Sequence, residues 1–452
     1  MGRPKFFRDP VHLQIRFDPV DLTIPIGRLD KKSQISWVLQ KLIDSEEFQR
    51  LRLIRQNGLA NLVFHGAEHS RFSHSLGVQH VARVMFEKIC RNRDISEDND
   101  VKLEVLVSSL IHDVGHGAFS HTMEEILKEN KVKFHHEEMT KKFILSDESS
   151  INRILSEIDG RLPDMIASFF DKKMRVEDHW KYKIVSSQMD ADRLDYVQRD
   201  ASFAGLRGHG FDFERLVDLL DVHEGKSIAI NRGAIEAVEA YLVTIDQLYR
   251  AIYNHQAVRA ATQMLLSLFR RAVNLWKDGN AAVFPNIGNV PHPIIELFEK
   301  GADVGVAAYG RLSDATIWAL IEYWRYSEDL VLSDLSKRLM RRDLLKAYDL
   351  GEMSYVKWTD QKDKALELTA KIVGHEIAPY YVALDEPSRT SYKGYDFNPD
   401  SPDESIWLTG AGKRDRPLED DPDSVIVKAL RGKTYFPRLI VLSDVREKLI
   451  ES

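Results

Sequence analysis

Apolar residues recur at helical spacing through most of the stretch from residue 35 to 280. Val101 to Ile111 (VKLEVLVSSLI) reads as an apolar helix, and Ala234 to Val273 carries the same pattern with no Pro or Gly inside, which predicts one long helix. Short β-branched pieces flank this body: His12 to Phe17, Ser227 to Ile230 in a hairpin, Tyr380 to Leu384, Ile406 to Leu408, Val425 to Val427 and Leu439 to Leu442. Between Asp385 and Pro422, Asp, Pro, Ser and Gly crowd together, which reads as exposed loop with local disorder. The expected fold is mostly α: a helical core over residues 1–285 and a smaller C-terminal α+β lobe over 286–452. No internal repeat or heptad pattern points to an array or filament.

Apolar residues form 43% of the chain and charged residues 29%, enough for a buried core and against long disorder. The formal charge of −7 gives no bulk attraction for polyanions, so nucleic-acid binding is not indicated; a small phosphorylated ligand held by a few cations fits better. The single cysteine, Cys90, excludes an intrachain disulfide framework and a cysteine zinc cluster. With no signal-like apolar run after Met1 to Pro10 and no stretch of about 18 apolar residues, the expected location is the cytoplasm, without a membrane span.

The histidines are not spread evenly. Nine of sixteen lie between His65 and His136, and that concentration needs a local cause. His112-Asp113 closes an apolar helix and is followed by Val114-Gly115-His116-Gly117; an imidazole and a carboxylate side by side at a buried helix end are costly unless a cation compensates them. A purely structural His-Asp pair is the alternative. Upstream, RFSHSLG opens a helix with Ser70 or Ser73 as its cap and offers His74 as a third ligand. Downstream, Asp190 begins a helix on which Asp192, Tyr196 and Asp200 share one face. The set His74, His112, Asp113 and Asp192 suits one divalent ion, whether Mn, Fe, Zn or Mg, with positions left for water and a phosphate oxygen.

The ordered blocks RFSHSLG, LIHDVGHGAFSH, HHEE and MDADRLDYVQRD resemble the HD superfamily, and within it the deoxynucleoside triphosphate triphosphohydrolases of the SAM-and-HD-domain and bacterial dGTPase type, here without a SAM domain ahead of the core. The resemblance runs from Asp9-Pro10-Val11-His12 through LIDSEEFQRLRLIRQ to about Leu350. It implies attack at the α-phosphorus, releasing a deoxynucleoside and intact triphosphate. It also implies His121 as proton donor to the departing oxygen, supported by Glu124 and His136, with His116 facing the site; Glu124 stands where relatives carry Asp. Arg71, Arg193 and Tyr196 match phosphate contacts, Arg193 replacing a common Lys. Ile245 occupies the place of a further Arg, which a short shift would give to Arg250. Gln56 and Asp200 match positions that bind the sugar 3′-hydroxyl, and Tyr253 an aromatic that closes against a 2′-hydroxyl. Asn57 replaces a Leu, which opens the question of ribose.

The same resemblance implies regulation. Asp44, Gln49 and Arg52 match guanine-reading positions, and Arg342 and Lys346 match phosphate contacts from the C-terminal lobe; Arg8 and Gln256 depart from the pattern of a second nucleotide pocket. The implied partners are a nucleotide substrate, a guanine-nucleotide or dNTP activator, Mg with bound nucleotides, and further copies of the chain in a dimer or tetramer. The implied setting is nucleotide-pool housekeeping or antiviral defence. Two other readings stay open: an HD phosphohydrolase acting on ribonucleotides, nucleoside monophosphates or signalling nucleotides, and a nucleotide-sensing regulator without turnover.

Overall fold

The computed structural model describes residues 4–171, 180–208, 210–392, 405–410 and 412–451. Helices dominate it. The first half carries α1 (Lys31–Ile43), α2 (Glu46–Gln49), α3 (Arg71–Asn92), α4 (Asn99–Ile111), α5 (His121–Glu129), α6 (His136–Leu145), α7 (Ser150–Ser156), α8 (Leu162–Ser168), α9 (Trp180–Val185), α10 (Ala191–Phe203) and α11 (Phe213–Asp218). At its centre is α3, whose Val78, Val81, Ala82, Met85, Phe86 and Ile89 are buried at three- and four-residue spacing. Completely buried side chains such as Met85 and Ile89 each contribute roughly 1.5–3 kcal/mol of burial free energy. On one side lies α4, capped by Asp98 accepting from Asp100 N and Val101 N; on the other lies α10. Gly77 is what lets α10 come so close, because a Cβ there would collide with the Asp195 carboxylate and the Arg199 guanidinium.

The expected single helix from Ala234 to Val273 is two. After α12 (Ile235–Leu248) the chain makes one π-helical turn, Tyr249–Tyr253, and restarts as α13 (Gln256–Lys277). His255 caps the restart by accepting Ala257 N at 3.2 Å, and Arg438 donates to Asn254 O at 3.0 Å. The wider turn presents both Tyr249 and Tyr253 to a cavity beside α10.

The strands are few: β1 (Lys5–Asp9) and β2 (Leu13–Phe17) form an N-terminal hairpin, and β3 (Leu220–His223) and β4 (Ser227–Asn231) a second. Beyond α14 (Pro293–Lys300), α15 (Val306–Tyr309), α16 (Asp314–Trp324) and α17 (Leu330–Met340), the chain adds β5 (Lys346–Asp349), α18 (Tyr355–Val373), β6 (Ala383–Asp385), β7 (Ser388–Arg389), β8 (Trp407–Thr409), β9 (Arg416–Pro417), α19 (Val427–Leu430), β10 (Thr434–Tyr435), β11 (Arg438–Val441) and α20 (Ser443–Ile450). One antiparallel sheet has the order β5-β11-β6, and a four-stranded sheet the order β3-β4-β8-β9, in which β4 and β8 run parallel. Thus a strand from beyond residue 400 returns to one before residue 232, across the boundary expected at 285.

Two readings need correction. Val425–Val427 is not a strand: Val425 is exposed, and Val427 opens the short α19. The Asp385 to Pro422 stretch is not simply an exposed loop, because Ile406, Leu408, Leu418 and Asp421 are buried; residues 393–404 and 411 within it lie outside the described set. Among the described residues no helix is long and apolar enough to cross a membrane.

Candidate metal centre and active site

Three of the four expected ligands bring their donor atoms together. His74 from α3, His112 at the end of α4 and Asp192 in the first turn of α10 offer atoms within 4.8 Å of one another. His74 Nε2 lies 3.0 Å from Asp192 Oδ1 and His112 Nε2 lies 3.9 Å from it. Asp113 stands against them, Oδ1 at 3.2 Å from His112 Nε2, while its Oδ2 accepts from Arg71 at 2.5 Å.

The ring hydrogen bonds point to a cation. His74 Nδ1 is bound to Asp195 Oδ2 at 2.8 Å, and His112 Nδ1 to Ser109 O at 2.9 Å. Each ring thus carries its proton on Nδ1 and turns a lone pair on Nε2 toward the centre, where both Nε2 atoms are buried without a hydrogen-bond partner. Lone pairs facing carboxylates in a dry site repel unless a positive charge lies between them. Without a metal that charge is a proton: burial opposes it, but Asp192 and Asp195 outweigh burial and lift His74 to about 10. Burial likewise opposes ionisation of Asp113, and Arg71 together with the two histidines overrides it and holds the carboxyl well below its usual range. The donors therefore suit a divalent ion of borderline character.

The orientation of His74 rests on a network that the sequence does not announce. Asp195 also receives His12 Nε2 at 2.6 Å and Arg199 Nε at 2.8 Å, and Arg199 reaches on to Asp9 at 2.9 Å. Arg199 and Asp195 are fully buried. The only local sign is the i,i+4 spacing of Asp195 and Arg199 on α10, on the same side of the helix as Asp192. Asp195→Asn is expected to weaken metal affinity by about 10- to 100-fold, the usual cost of losing a carboxylate behind a ligating histidine. Titration with Mn(II) checks this; unchanged affinity in the folded variant would remove Asp195 from the metal's support.

A second group adjoins the first. Glu124 on α5 holds His121 Nδ1 at 3.2 Å through one oxygen and His136 Nδ1 at 2.7 Å through the other, and the latter oxygen also accepts His136 N. Burial works against its ionised form, but these hydrogen bonds keep Glu124 charged and well below the usual carboxylate range. The His116 ring stacks on His136 at 3.8 Å, and burial together with Arg71 pushes His116 well below its ordinary value, so it is neutral. Arg71 donates to Asp113 and, through Nε, to Ser120 Oγ at 2.8 Å, the residue directly before His121.

These residues open on two cavities. One, of about 290 Å³, is lined by His112, Asp113, His116, His136, Asp190 and Asp192. The other, of about 350 Å³, is lined by Asn57, Asp200, Tyr249 and Tyr253 with apolar Leu59 and Val258. Gln56, Arg71, His121 and Tyr196 line both. In the second, Asp200 accepts Tyr253 OH at 2.5 Å and His69 Nε2 at 2.7 Å. Gln56 Oε1 and Asn57 Nδ2 are buried without partners.

Other expected residues fall elsewhere. Arg193 is half-buried in the field of Asp190 and lines neither cavity. Ile245 is buried, and Arg250 is exposed against Asp246 at 3.0 Å, outside both cavities. Asp44, Gln49 and Arg52 form one surface strip: Lys5 pairs with Asp44 at 2.9 Å, Arg52 donates to Gln49 at 2.8 Å, and its guanidinium lies 3.5 Å from the Phe72 ring centre. Arg342, bonded to Leu62 O, and the exposed Lys346 make no hydrogen bond or ion pair to that strip among the described residues. Arg8 and Gln256 are exposed.

Comparison with known proteins agrees with this geometry. Residues 71–200 match the HD domain, and residues 211–283 match the HD associated region. YwfO, an uncharacterised protein of Bacillus subtilis, is 31% identical over 99% of this chain and 95% of its own length. The chain belongs to the HD-domain phosphohydrolase family. Within it, the deoxynucleoside triphosphate triphosphohydrolase SAMHD1 homologue of Dictyostelium discoideum is 31% identical over 52% of this chain, which spans 46% of that relative. A Bacteroides thetaiotaomicron phosphohydrolase structure, 24% identical, shares the fold with a TM-score of 0.77 over 97% of this chain and all of its own. The HD domain contains all four expected metal ligands, from His74 to Asp192.

Proposed function

We propose that the protein hydrolyses deoxynucleoside triphosphates to deoxynucleoside and triphosphate. One observation carries this reading: Gln56, Arg71, His121 and Tyr196 line both the metal cavity and the aromatic cavity, so one ligand can lay its phosphates in the first and its sugar in the second. The triphosphohydrolase relatives support it as well.

When bound by His74, His112, Asp192 and Asp113, a divalent cation supplies charge neutralisation at a phosphate oxygen and a more acidic water. Arg71 holds a phosphate oxygen at the junction of the two cavities. As the water oxygen bonds to the α-phosphorus, the bond from phosphorus to the sugar's 5′-oxygen breaks and that oxygen takes a proton from His121 Nε2, while the attacking water gives up one proton to solvent and His121 regains one from it. Glu124 keeps the opposite nitrogen of His121 occupied and so orients the ring; neutral His116 completes the wall. Gln56 and Asp200 receive the sugar's 3′ side, and Tyr253 closes the face beside it.

The test is a panel of the four dNTPs and four NTPs with Mn(II), products resolved by mass. Intact triphosphate with a deoxynucleoside supports the proposal. Orthophosphate or a cleaved diester points to another HD phosphohydrolase, and no turnover of any nucleotide to a regulator. Repeating the panel with GTP tests activation through the strip Asp44, Gln49 and Arg52, with Arg342 and Lys346 of the 286–452 lobe supplied by another copy in a dimer or tetramer.

The buried, unpartnered amide nitrogen of Asn57 favours a second reading, in which a ribose hydroxyl is accepted. Asn57→Leu is then expected to raise the dNTP to NTP ratio of kcat/KM by about five- to tenfold, the worth of one hydrogen bond of roughly 1 kcal/mol. An unchanged ratio leaves Asn57 without a part in sugar choice.

A further inference from the structure

Arg50 is 6% exposed, and no carboxylate lies within 4 Å of it among the described residues. Both terminal nitrogens of its guanidinium donate to backbone carbonyls, one to Leu312 O at 2.7 Å and the other to Val114 O and His116 O at 2.8 Å each, while Nε is buried without a partner. It stacks 5.3 Å from the centre of the Tyr309 ring, and Tyr309 OH in turn donates to Gly115 O at 2.8 Å. Three successive carbonyls, at 114, 115 and 116, are thus gripped from one side. They lie between Asp113 and His116, the segment on which the metal centre and the stacked histidines meet. The far end is pinned as well, since Asp314 Oδ1 accepts Phe119 N at 2.7 Å.

A buried cation with no carboxylate in contact, only Asp314 and Glu47 at longer range, is a poor way to gain stability; an apolar side chain of similar volume costs less desolvation. What the planar fork adds is geometry, since it ties two loop carbonyls and one from the α15–α16 turn to a single rigid group. We infer that Arg50 is a positioning residue, which fixes the Asp113–His116 loop so that Asp113 faces the metal and His116 faces the reacting phosphate. Gln49 and Arg52 flank it on the outer surface, so any ligand that re-seats α2 also moves the fork. The inference rests on the reading of Asp113 and His116 as working parts of the phosphohydrolase site.

The test uses Arg50→Lys, which keeps the charge and loses the fork, and Arg50→Met, which keeps the bulk and loses both. Three measurements are made on the full chain: thermal unfolding, Mn(II) affinity, and hydrogen exchange over residues 113–121 in metal-free protein. Hydrolysis is followed alongside. Expected are folded variants with faster exchange confined to that segment, Mn(II) affinity down about tenfold, and kcat down roughly 10- to 100-fold with KM changed less than threefold, the cost of misplacing a reacting group by about 1 Å. Tyr309→Phe, which frees Gly115 O alone, is expected to move the same quantities less. Wild-type exchange and metal affinity in folded Arg50→Lys would overturn the inference. So would unfolding of both Arg50 variants, which would make Arg50 a residue of global folding. If no dNTP is hydrolysed by the wild type, the proposed function fails, while exchange and metal affinity still decide the part of Arg50.

Discussion

Asp192→Ala is expected to fold yet to lose its divalent metal and, with it, hydrolysis. The carboxylate sits in the first turn of α10, about a third exposed, so its removal opens no cavity in the core. The fold around it is held by other groups: Asp190 caps the helix by accepting Arg193 N at 2.8 Å, and Asp195 and Arg199 lie against Gly77 of α3. What disappears is the anion nearest to the lone pair of His74. Two imidazole nitrogens and an Asp113 already committed to Arg71 then remain to hold a dication, too little negative charge to offset its dehydration. The loss in metal affinity should exceed the ~10- to 100-fold typical of outer partners. Metal content after gel filtration and turnover with excess Mn(II) check both halves. A folded variant that still holds metal and still hydrolyses would take Asp192 out of the ligand set.

His121→Ala is expected to lower kcat by about 10²- to 10⁴-fold while leaving metal content and KM nearly unchanged. The argument is positional. His121 borders both cavities, its side chain is 70% exposed, and Glu124 occupies Nδ1, so Nε2 is the nitrogen able to deliver a proton to a leaving oxygen between the cavities. Because so little of the ring is buried, its loss should leave the melting transition in place. His116 is a weak substitute: buried, neutral and committed to stacking on His136, it has no proton to give near neutral pH. Glu124→Gln should show a smaller loss in the same direction, because the amide oxygen can still accept from one ring while the amide nitrogen cannot accept from the other. Wild-type kcat in His121→Ala would leave protonation of the leaving group to water.

The clustering of the candidate ligands was legible because each sits in a short motif whose spacing is set by a helix end. His74 opens α3, His112 closes α4, and Asp192 opens α10, so local pattern carried most of the geometry. The residues that orient them were not legible. Asp195, His12, Arg199 and Asp9 meet only once the N-terminal hairpin is laid against α3 and α10, and Arg50 reaches carbonyls more than sixty positions away. Composition misled at the C-terminal end. The polar, proline-rich surroundings of Ile406 to Leu408 hid the burial of β8, and the β-branched run Val425 to Val427 suggested a strand where the chain turns into a helix. Periodicity likewise joined α12 to α13, since a π-turn disturbs the apolar stripe too little to break the pattern.

The parallel pairing of β4 with β8 has a bearing on how the protein is made. Arg232, directly after β4, is clamped by Asp421 at 3.1 Å and by the carbonyls of Gly410 and Arg414 at 2.9 and 2.7 Å, and the next helix is α12, which leads to Tyr249 and Tyr253. On the ribosome, His74, His112, Asp113 and Asp192 are all synthesised more than 200 residues before Gly410 and Arg414. The clamp on Arg232 exists only after residues beyond 410 are released. Synthesis therefore delivers the metal cradle early and anchors the aromatic wall last, an order of assembly written into the topology rather than into any one side chain.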